Sequence, residues 1–559
     1  MSKQLDLLDY IVFFIYFFVV AGYGYWIYQR KKSKDASSTD FFLAEGSLTW
    51  WAIGASLIAS NISAEQFIGM SGNGFSMGLA ISTYEWMAAA TLIIVAVFFM
   101  PIYLKNRIFT MPQFLRQRYN ETVAMIMAII WLLVYILVNL TSILFLGALA
   151  VSTISDINFT ACMIGLAVFA IIITLGGMKV IGYTDVIQVF FLILGGLATT
   201  YLAVNLVSKQ FGTEGLAKGF ELMFQRSTDH FQMVFPQGHP FYASLPGLTI
   251  LIGGMWIVNL NYWGCNQYIT QRALGADLKT AREGILFAAF LKLLMPIIVV
   301  LPGIAAYTLW KEGLFQQEML TNGELNQDRA YPVLLNLLPT GLKGLSFAAL
   351  TAAVVASLAG KANSISTIFT LDIYKKYINR EADEARLVWI GRVAIVVAMI
   401  MAILISPYMG IDKKGGFQFI QEMTGLVSPG VFAAFLMGFF WKRTNSAGAM
   451  FAIVGGFVLS LFFKFLLPDL VSLEPLAAYG FAVKNAGSAV YEIPFLDVMG
   501  FVFLICVVVM FILGLANPKT QNNPKGLKID ASMFRVSSGF AFGAAVVILI
   551  LTVLYTVYW

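Results

Sequence analysis

Residues 57–70 read Leu57-Ile-Ala-Ser-Asn-Ile-Ser-Ala-Glu-Gln-Phe-Ile-Gly-Met70 and lie inside an apolar segment that is long enough to cross a bilayer. A row of polar residues interrupts this segment: Ser60, Asn61, Ser63, Glu65 and Gln66. Each such group costs free energy in hydrocarbon unless it is paired or hydrated. We therefore predict a helix that breaks in mid-membrane, near Ala59–Ser63. The break frees carbonyl oxygens to hold an ion and side chains to hold a polar solute.

A second segment of the same kind follows about two hundred residues later. Residues 258–267 read Val-Asn-Leu-Asn-Tyr-Trp-Gly-Cys-Asn-Gln, again polar side chains within an apolar span. Broken spans in corresponding places of the two halves are typical of transporters built from an inverted repeat.

The composition indicates a multi-pass membrane protein, since 59% of the 559 residues are hydrophobic and only 12% are charged. A membrane helix needs roughly 20 apolar residues. On that basis we predict an all-α protein of about fourteen spans, over 8–29, 48–77, 80–107, 122–154, 158–177, 180–206, 246–270, 283–311, 340–378, 386–409, 417–441, 446–467, 494–516 and 536–559.

The distribution of lysine and arginine predicts the orientation. Most of the 36 basic residues fall in loops that are cytoplasmic if the first helix enters from outside, so both termini are expected outside. The net charge of +6 then reflects topology and calls for no nucleic-acid partner. We expect a cell membrane, most simply a bacterial inner membrane. The only histidines, His230 and His239, are expected to be exposed in an outer loop.

Charged residues within spans are candidates for function, because they are costly there unless they serve a purpose. Glu85, Asp185 and Lys292 are such residues, although Glu85 could instead be the structural partner of a buried hydroxyl group. Lys361 stands four residues after Ser357, on the same helix face, and side chains lean toward the helix N-terminus. Its ammonium is therefore expected to lie close to Ser357.

Several long motifs resemble those of the sodium–solute symporter family, in particular its bacterial sodium/galactose branch. They are Ala59–Met70 as quoted above, Tyr84-Glu-Trp-Met87, Thr184-Asp-Val-Ile-Gln188, Gly425-Leu-Val-Ser-Pro-Gly430 and Trp441-Lys-Arg-Thr-Asn-Ser-Ala-Gly-Ala449. The resemblance implies a LeuT-type five-plus-five inverted repeat and alternating access. The expected segments are 1–47 (first helix and basic inner loop), 48–206 (repeat 1), 207–245 (outer loop), 246–441 (repeat 2) and 442–559 (additional helices).

The resemblance also implies a sugar site. The positions that match the branch's sugar contacts are Asn61, Gln66, Glu85, Asn259, Lys292, Gln421 and Tyr262. Amides, a carboxylate and an ammonium suit ring hydroxyls, which both donate and accept hydrogen bonds. The positions that match its gates are Met70, Tyr84 and Phe417 on the outer side, with Tyr262 and Trp263. One position departs, since Ala88 stands where the galactose transporter has a serine.

A sodium site is implied as well, with Ala59, Ile62, Ala353 and Ser357 as ligands. Oxygen ligands suit a hard cation. Here the family's pair of serines reads Ala356-Ser357, and Lys361 replaces an apolar residue. Two interpretations of Lys361 stay open. It competes with or replaces sodium, or it faces the cytoplasmic vestibule and pairs with Asp185.

The function predicted from the sequence is sodium-driven import of a galactose- or glucose-like monosaccharide. The first alternative is a sodium-independent or proton-coupled carrier, in which Lys361 takes the place of sodium. The second is a sugar sensor that does not transport. We expect no enzymatic activity, because no nucleophile–base pair or phosphate loop accompanies the acidic residues. The expected partners are the sugar and the lipid bilayer, and the sequence leaves the oligomeric state open.

Overall fold

The computed structural model describes residues 5–30, 48–155, 157–175, 177–321, 323–408, 415–484, 490–521, 523–527 and 529–559. Most of the basic loop in the predicted segment 1–47 lies outside these residues.

The described chain is almost entirely helical. Its α-helices are Leu7–Arg30, Trp50–Asn61, Ser71–Met77, Thr83–Ile94, Met100–Lys105, Met111–Arg118, Glu121–Leu133, Thr141–Ser155, Phe159–Thr174, Gly177–Gln210, Leu216–Arg226, Thr249–Ile252, Gly254–Cys265, Gln267–Leu274, Leu278–Lys311, Ala330–Leu335, Leu342–Thr367, Glu384–Ile405, Gly416–Gly425, Ser428–Phe440, Ser446–Met450, Gly456–Leu461, Leu467–Leu470, Glu474–Ala477, Phe495–Ala516 and Ser538–Val557. π-Helical turns occupy Glu65–Met70, Val95–Phe99, Val134–Leu140, Ile368–Ile378, Phe451–Gly455 and Phe462–Leu466. Two short antiparallel hairpins pair Leu320–Thr321 with Glu324–Leu325 and Val483–Lys484 with Tyr491–Glu492.

Ten helices in the described part of the chain are long and apolar enough to cross a membrane. An eleventh is added if Gly416–Gly425 and Ser428–Phe440, which meet at 51°, form one span. Every predicted span contains helix, but the broken spans fall below the length of an uninterrupted crossing and Phe159–Thr174 is also short. The number fourteen and the orientation of the termini therefore stay predictions.

The first broken span confirms the predicted interruption. Its first helix ends at Asn61, Ile62 is extended at φ −80° and ψ 112°, and helical structure resumes at Glu65. Ser63 Oγ accepts a hydrogen bond from the Glu65 amide at 3.1 Å, which satisfies a backbone donor at the start of the second half. The polar residues of the break thus stabilise it locally.

The second broken span is interrupted at one residue. Helix Gly254–Cys265 ends before Asn266, whose backbone is extended at φ −100° and ψ 123°, and Gln267–Leu274 follows. The Asn266 side-chain oxygen accepts a hydrogen bond from the Tyr135 hydroxyl, so the kink is tied to helix Glu121–Ser155.

The long helix Leu278–Lys311 lies against both halves of the first broken span. Close approach depends on glycine, because a Cβ at Gly54 would lie 2.7 Å from the carbonyl oxygen of Gly284. Small residues at such crossings allow membrane helices to pack tightly. This contact brings Lys292 beside the break.

The helix that carries Ser357 and Lys361, Leu342–Thr367, is buried along nearly its whole length. Its N-terminus is capped by the first helix of the chain. Asp9 Oδ1 accepts hydrogen bonds from the amides of Gly341 at 2.6 Å and Gly344 at 2.9 Å. A carboxylate at this position accepts hydrogen bonds from backbone amides that have no partner within the helix, and its negative charge complements the helix dipole.

The predicted exposure of the histidines is wrong for His230. Only 6% of its surface is exposed. Its ring stacks on Tyr307 with centroids 3.7 Å apart, and Nε2 lies 3.0 Å from the Phe75 carbonyl oxygen. The loop that carries His230 packs against the first broken span at Gly78. The backbone of Gly78 has a φ of 72°, which favours glycine, and a Cβ there would collide with the backbone of His230. His239 is half-buried against Phe235.

Candidate functional site

One cavity collects all seven residues predicted to contact sugar. It lies between the two broken spans and is lined by Asn61, Gln66, Glu85, Asn259, Lys292, Gln421 and Tyr262, together with Ala88, Glu65, Asn261, Asn266 and Ser428. The space between these residues, counting its opening to solvent, is about 750 Å³. The unusual feature is its polarity, because amides and charged groups make up much of the wall.

Lys292 is the centre of the polar network. Its side chain is fully buried, and Nζ donates to Glu85 Oε2 at 2.5 Å and to Asn61 Oδ1. The ammonium also lies 5.1 Å from the centre of the Trp263 ring, within the range of a cation–π interaction. Burial of this charge is therefore offset by a carboxylate, an amide and an aromatic face.

Tyr262 extends this network across the break. The Asn61 amide donates to its hydroxyl at 2.9 Å, and the Tyr268 hydroxyl donates to the same oxygen. Its ring packs edge-on against Trp263, with centroids 5.1 Å apart. The two predicted gate residues of the second broken span therefore lie together in the cavity wall.

Two of the three predicted outer-gate residues meet in the wall of the cavity. The rings of Tyr84 and Phe417 are edge-to-face, with centroids 5.0 Å apart, and both side chains are buried. A Cβ at Gly69 would lie 2.7 Å from the backbone nitrogen of Phe417, so the first broken span and helix Gly416–Gly425 touch here. Met70 is fully buried but does not line the cavity.

A second cluster of charges adjoins the cavity where the first broken span meets helix Leu342–Thr367. Ser357 Oγ donates to the carbonyl oxygen of Ser60 at 3.2 Å, and Lys361 Nζ donates to Ser357 Oγ at 3.4 Å. The expected proximity of Lys361 to Ser357 is confirmed. The ammonium is fully buried and lies 3.6 Å from Glu65 Oε1 and 4.7 Å from the centre of the Tyr268 ring.

The expected pairing of Lys361 with Asp185 is wrong. Asp185 Oδ2 lies 3.9 Å from the Arg272 guanidinium and accepts a hydrogen bond from Ser56 Oγ at 2.6 Å. Arg272 Nε in turn donates to Ser56 Oγ at 3.0 Å. Asp185 already has a guanidinium and a hydroxyl as partners, and Glu65 is the carboxylate beside Lys361.

Glu65 is a cavity residue to which the sequence analysis assigned no role. It lines the cavity and pairs with Lys361, so it belongs to both clusters. Its position among the polar residues of the first break could have identified it from the sequence. Asn139 was also missed, although a lone amide in the apolar helix Glu121–Ser155 marks it.

Comparisons with known proteins bear on this arrangement. The family model of the sodium:solute symporter family matches residues 41–456. The chain is 46% identical to the sodium/glucose cotransporter of Vibrio parahaemolyticus, with 99% of each chain covered. It is 33% identical to human sodium/myo-inositol cotransporter 2, covering 85% of this chain and 72% of the relative.

One solved structure supports the fold. A Na⁺-coupled sialic acid symporter in a substrate-bound, outward-open state superposes with a TM-score of 0.73 at 21% identity, covering 92% of this chain and 98% of the other. At that identity the likeness concerns the fold alone.

Proposed function

Since this chain belongs to the sodium:solute symporter family, we propose that it is a secondary transporter that carries a monosaccharide across the membrane by alternating access. The observation that carries the proposal is the cavity in which Lys292, Glu85 and Asn61 are joined by hydrogen bonds. Its relatives named above are cotransporters, which supports a transport role and not a catalytic one.

The chemistry of the cavity fits a polyhydroxylated ring. An ammonium offers three donors and a carboxylate two acceptor oxygens, so the Lys292–Glu85 pair has capacity beyond its own contact. Amide groups of Asn61, Asn259 and Gln421 add donors and acceptors. A site of buried polar groups rejects analogues that lack a hydroxyl, because its own groups would go unpaired. The named relatives act on glucose and myo-inositol, both ring polyols.

We propose that the Tyr84–Phe417 contact closes the cavity on the outer side and that Tyr262 and Trp263 close it on the inner side. Under this proposal segments 48–206 and 246–441 are the inverted repeats, flanked by 1–47 and 442–559 and separated by the outer loop 207–245. The protein is a multi-pass membrane protein, and we place it in a bacterial inner membrane with both termini outside.

Two candidates exist for energy coupling. The family favours sodium, for which Ala59, Ile62, Ala353 and Ser357 are the proposed ligands. The position of Lys361 at Ser357 favours a sodium-independent carrier instead. The residues fit sodium poorly, because Ala356 supplies no hydroxyl and an ammonium already contacts the one hydroxyl of the set.

The transport proposal is tested by counterflow in proteoliposomes. Vesicles preloaded with unlabelled sugar should take up labelled glucose or galactose transiently, and vesicles without protein should not. Lys292→Met should abolish counterflow, whereas Lys464→Met should retain it, because Lys464 pairs with Glu422 outside the cavity wall. Specific binding of these sugars without counterflow would support the sensor and reject the carrier.

A further inference from the structure

The surroundings of Lys361 are those of a built cation site. Helix Trp50–Asn61 ends here, and the last carbonyl groups of a helix lack intrahelical partners and carry its negative dipole end. Half-helix ends of this kind coordinate cations in transporters with broken helices. The ammonium reaches this end through Ser357, which is hydrogen-bonded to the Ser60 carbonyl oxygen.

The ammonium joins the same two elements that a bound cation would join. Glu65 belongs to the second half of the first broken span, and Ser357 to helix Leu342–Thr367. Lys361 touches both, at 3.6 Å and 3.4 Å, and the Tyr268 ring covers it at 4.7 Å. A carboxylate, a hydroxyl and an aromatic face therefore stabilise a charge that is fully removed from water.

The buried charges near this point balance without an added ion. Lys361 is paired with Glu65, and Arg272 is paired with Asp185. Gly360 lies directly against Arg272, where a Cβ would be 2.6 Å from the guanidinium nitrogen, so the second cation is close as well. Sodium beside Ser357 would add an unbalanced positive charge to this cluster, in a medium that screens weakly.

We infer that the Lys361 ammonium is a tethered replacement for the coupling cation, so that this carrier works without sodium. This inference rests on the proposed function and decides between its two coupling candidates. A tethered charge cannot be released on either side of the membrane. Sugar transport then draws no energy from a sodium gradient.

The site is also placed to respond to sugar. Glu65 lines the cavity while it pairs with Lys361, and Tyr268 contacts the ammonium while its hydroxyl donates to Tyr262. A sugar that engages Glu65 therefore acts on a partner of the ammonium directly, and one that engages Tyr262 acts through Tyr268.

The transport test compares the wild type with two variants, Lys361→Met and the double variant Ala356→Ser/Lys361→Met. Wild-type counterflow should be the same with sodium as with potassium at equal ionic strength, and an inward sodium gradient should produce no accumulation above equilibrium. In each variant, counterflow should become about tenfold faster in sodium than in potassium, which is within the usual range of coupling between two sites. Lys464→Met, which also removes a lysine paired with a glutamate, should gain none.

A second measurement does not depend on knowing the sugar. Thermal unfolding of purified protein in detergent is followed with sodium or potassium chloride, because a ligand that binds only the folded state raises the Tm. The wild type should show equal Tm values in the two salts, and the double variant a higher Tm in sodium. If no sugar is transported, the proposed function fails while this measurement still decides the cation site.

The outcomes are distinct. A sodium-specific rise in the wild-type Tm, or sugar accumulation by the wild type that requires sodium, would overturn the inference. Equal behaviour of the wild type in both salts, with sodium sensitivity appearing in either variant, supports it. A double variant that does not fold leaves Lys361→Met and the wild-type comparison to decide.

Discussion

Lys292 and Glu85 form an ion pair 2.5 Å long in the wall of the cavity, although they come from helices far apart in sequence, Leu278–Lys311 and Thr83–Ile94. Both side chains are buried, and Asn61 from the first break completes the triad. The pair therefore has two roles. It supplies donors and acceptors for the proposed sugar, and it joins one predicted repeat to the other.

Removing one member of this pair should be more harmful to stability than removing both. Lys292→Met leaves a buried carboxylate without its cation, and loss of one partner of such a pair costs about 3–5 kcal/mol. Adding Glu85→Gln should recover part of that loss, while counterflow stays absent in both variants. Denaturant or thermal unfolding of the wild type, Lys292→Met, Glu85→Gln and the double variant measures the effect. Equal and additive losses from the two substitutions would contradict a direct pair.

Ala88 should influence which sugar is preferred. It is buried at 2% exposure and lines the cavity one turn from Glu85. Ala88→Ser adds a hydroxyl that can bond a ring hydroxyl, for a gain of about 1 kcal/mol, roughly fivefold in affinity. We expect galactose to compete better against labelled glucose in the variant. Ala89→Ser is the matched control, since Ala89 is buried in the same helix outside the lining. Equal effects of both substitutions would contradict this role of Ala88.

Asp9 should stabilise the helix that carries Ser357 and Lys361, because its carboxylate caps the amides of Gly341 and Gly344. Asp9→Ala removes both of these hydrogen bonds, together with the one that Asp9 Oδ2 accepts from the Asp6 amide, and should lower the free energy of unfolding by about 1–2 kcal/mol. Asp6→Ala is the control, since the Asp6 side chain accepts a hydrogen bond from the Thr340 hydroxyl at an exposed position and does not cap the helix amides. A loss as large for Asp6→Ala as for Asp9→Ala would argue against the cap.

The broken first span was predictable because its signal is local. Polar groups from Ser60 to Gln66 cannot stay unpaired in hydrocarbon, and the structure breaks the helix between Asn61 and Glu65. The proximity of Lys361 to Ser357 was predictable for a similar reason, since helix geometry fixes neighbours four residues apart.

The partner of Lys361 was not predictable in this way. Glu65 and Asp185 lie in different helices, and sequence spacing within Leu342–Thr367 does not decide which of them packs against its face. The choice depends on Arg272, which approaches Asp185 from the second broken span and leaves Glu65 beside the lysine. Burial of His230 was missed because a polar loop favours solvent unless a tertiary contact, here with Tyr307 and Phe75, covers it.

His230 should make the stability of the folded protein depend on pH. Burial is the main reason that the pKa of His230 is lowered, although Asp229, 3.2 Å from Nδ1, acts in the opposite direction. The unfolded chain, with an ordinary histidine pKa of about 6.5, therefore takes up a proton more readily than the folded protein. The contribution of neutral His230 to the free energy of unfolding is therefore fully present above that pH. It is lost as the pH decreases toward the lower pKa that His230 has in the folded protein.

We expect the Tm of the wild type to decrease between about pH 7.5 and about pH 5.5, and to decrease less in His230→Gln. A comparison with His239→Gln provides the control, because His239 is only half-buried against Phe235 and its removal should change the pH dependence less. A wild-type Tm that rises on acidification, or that changes equally in both variants, would show that burial does not hold His230 neutral in the folded protein.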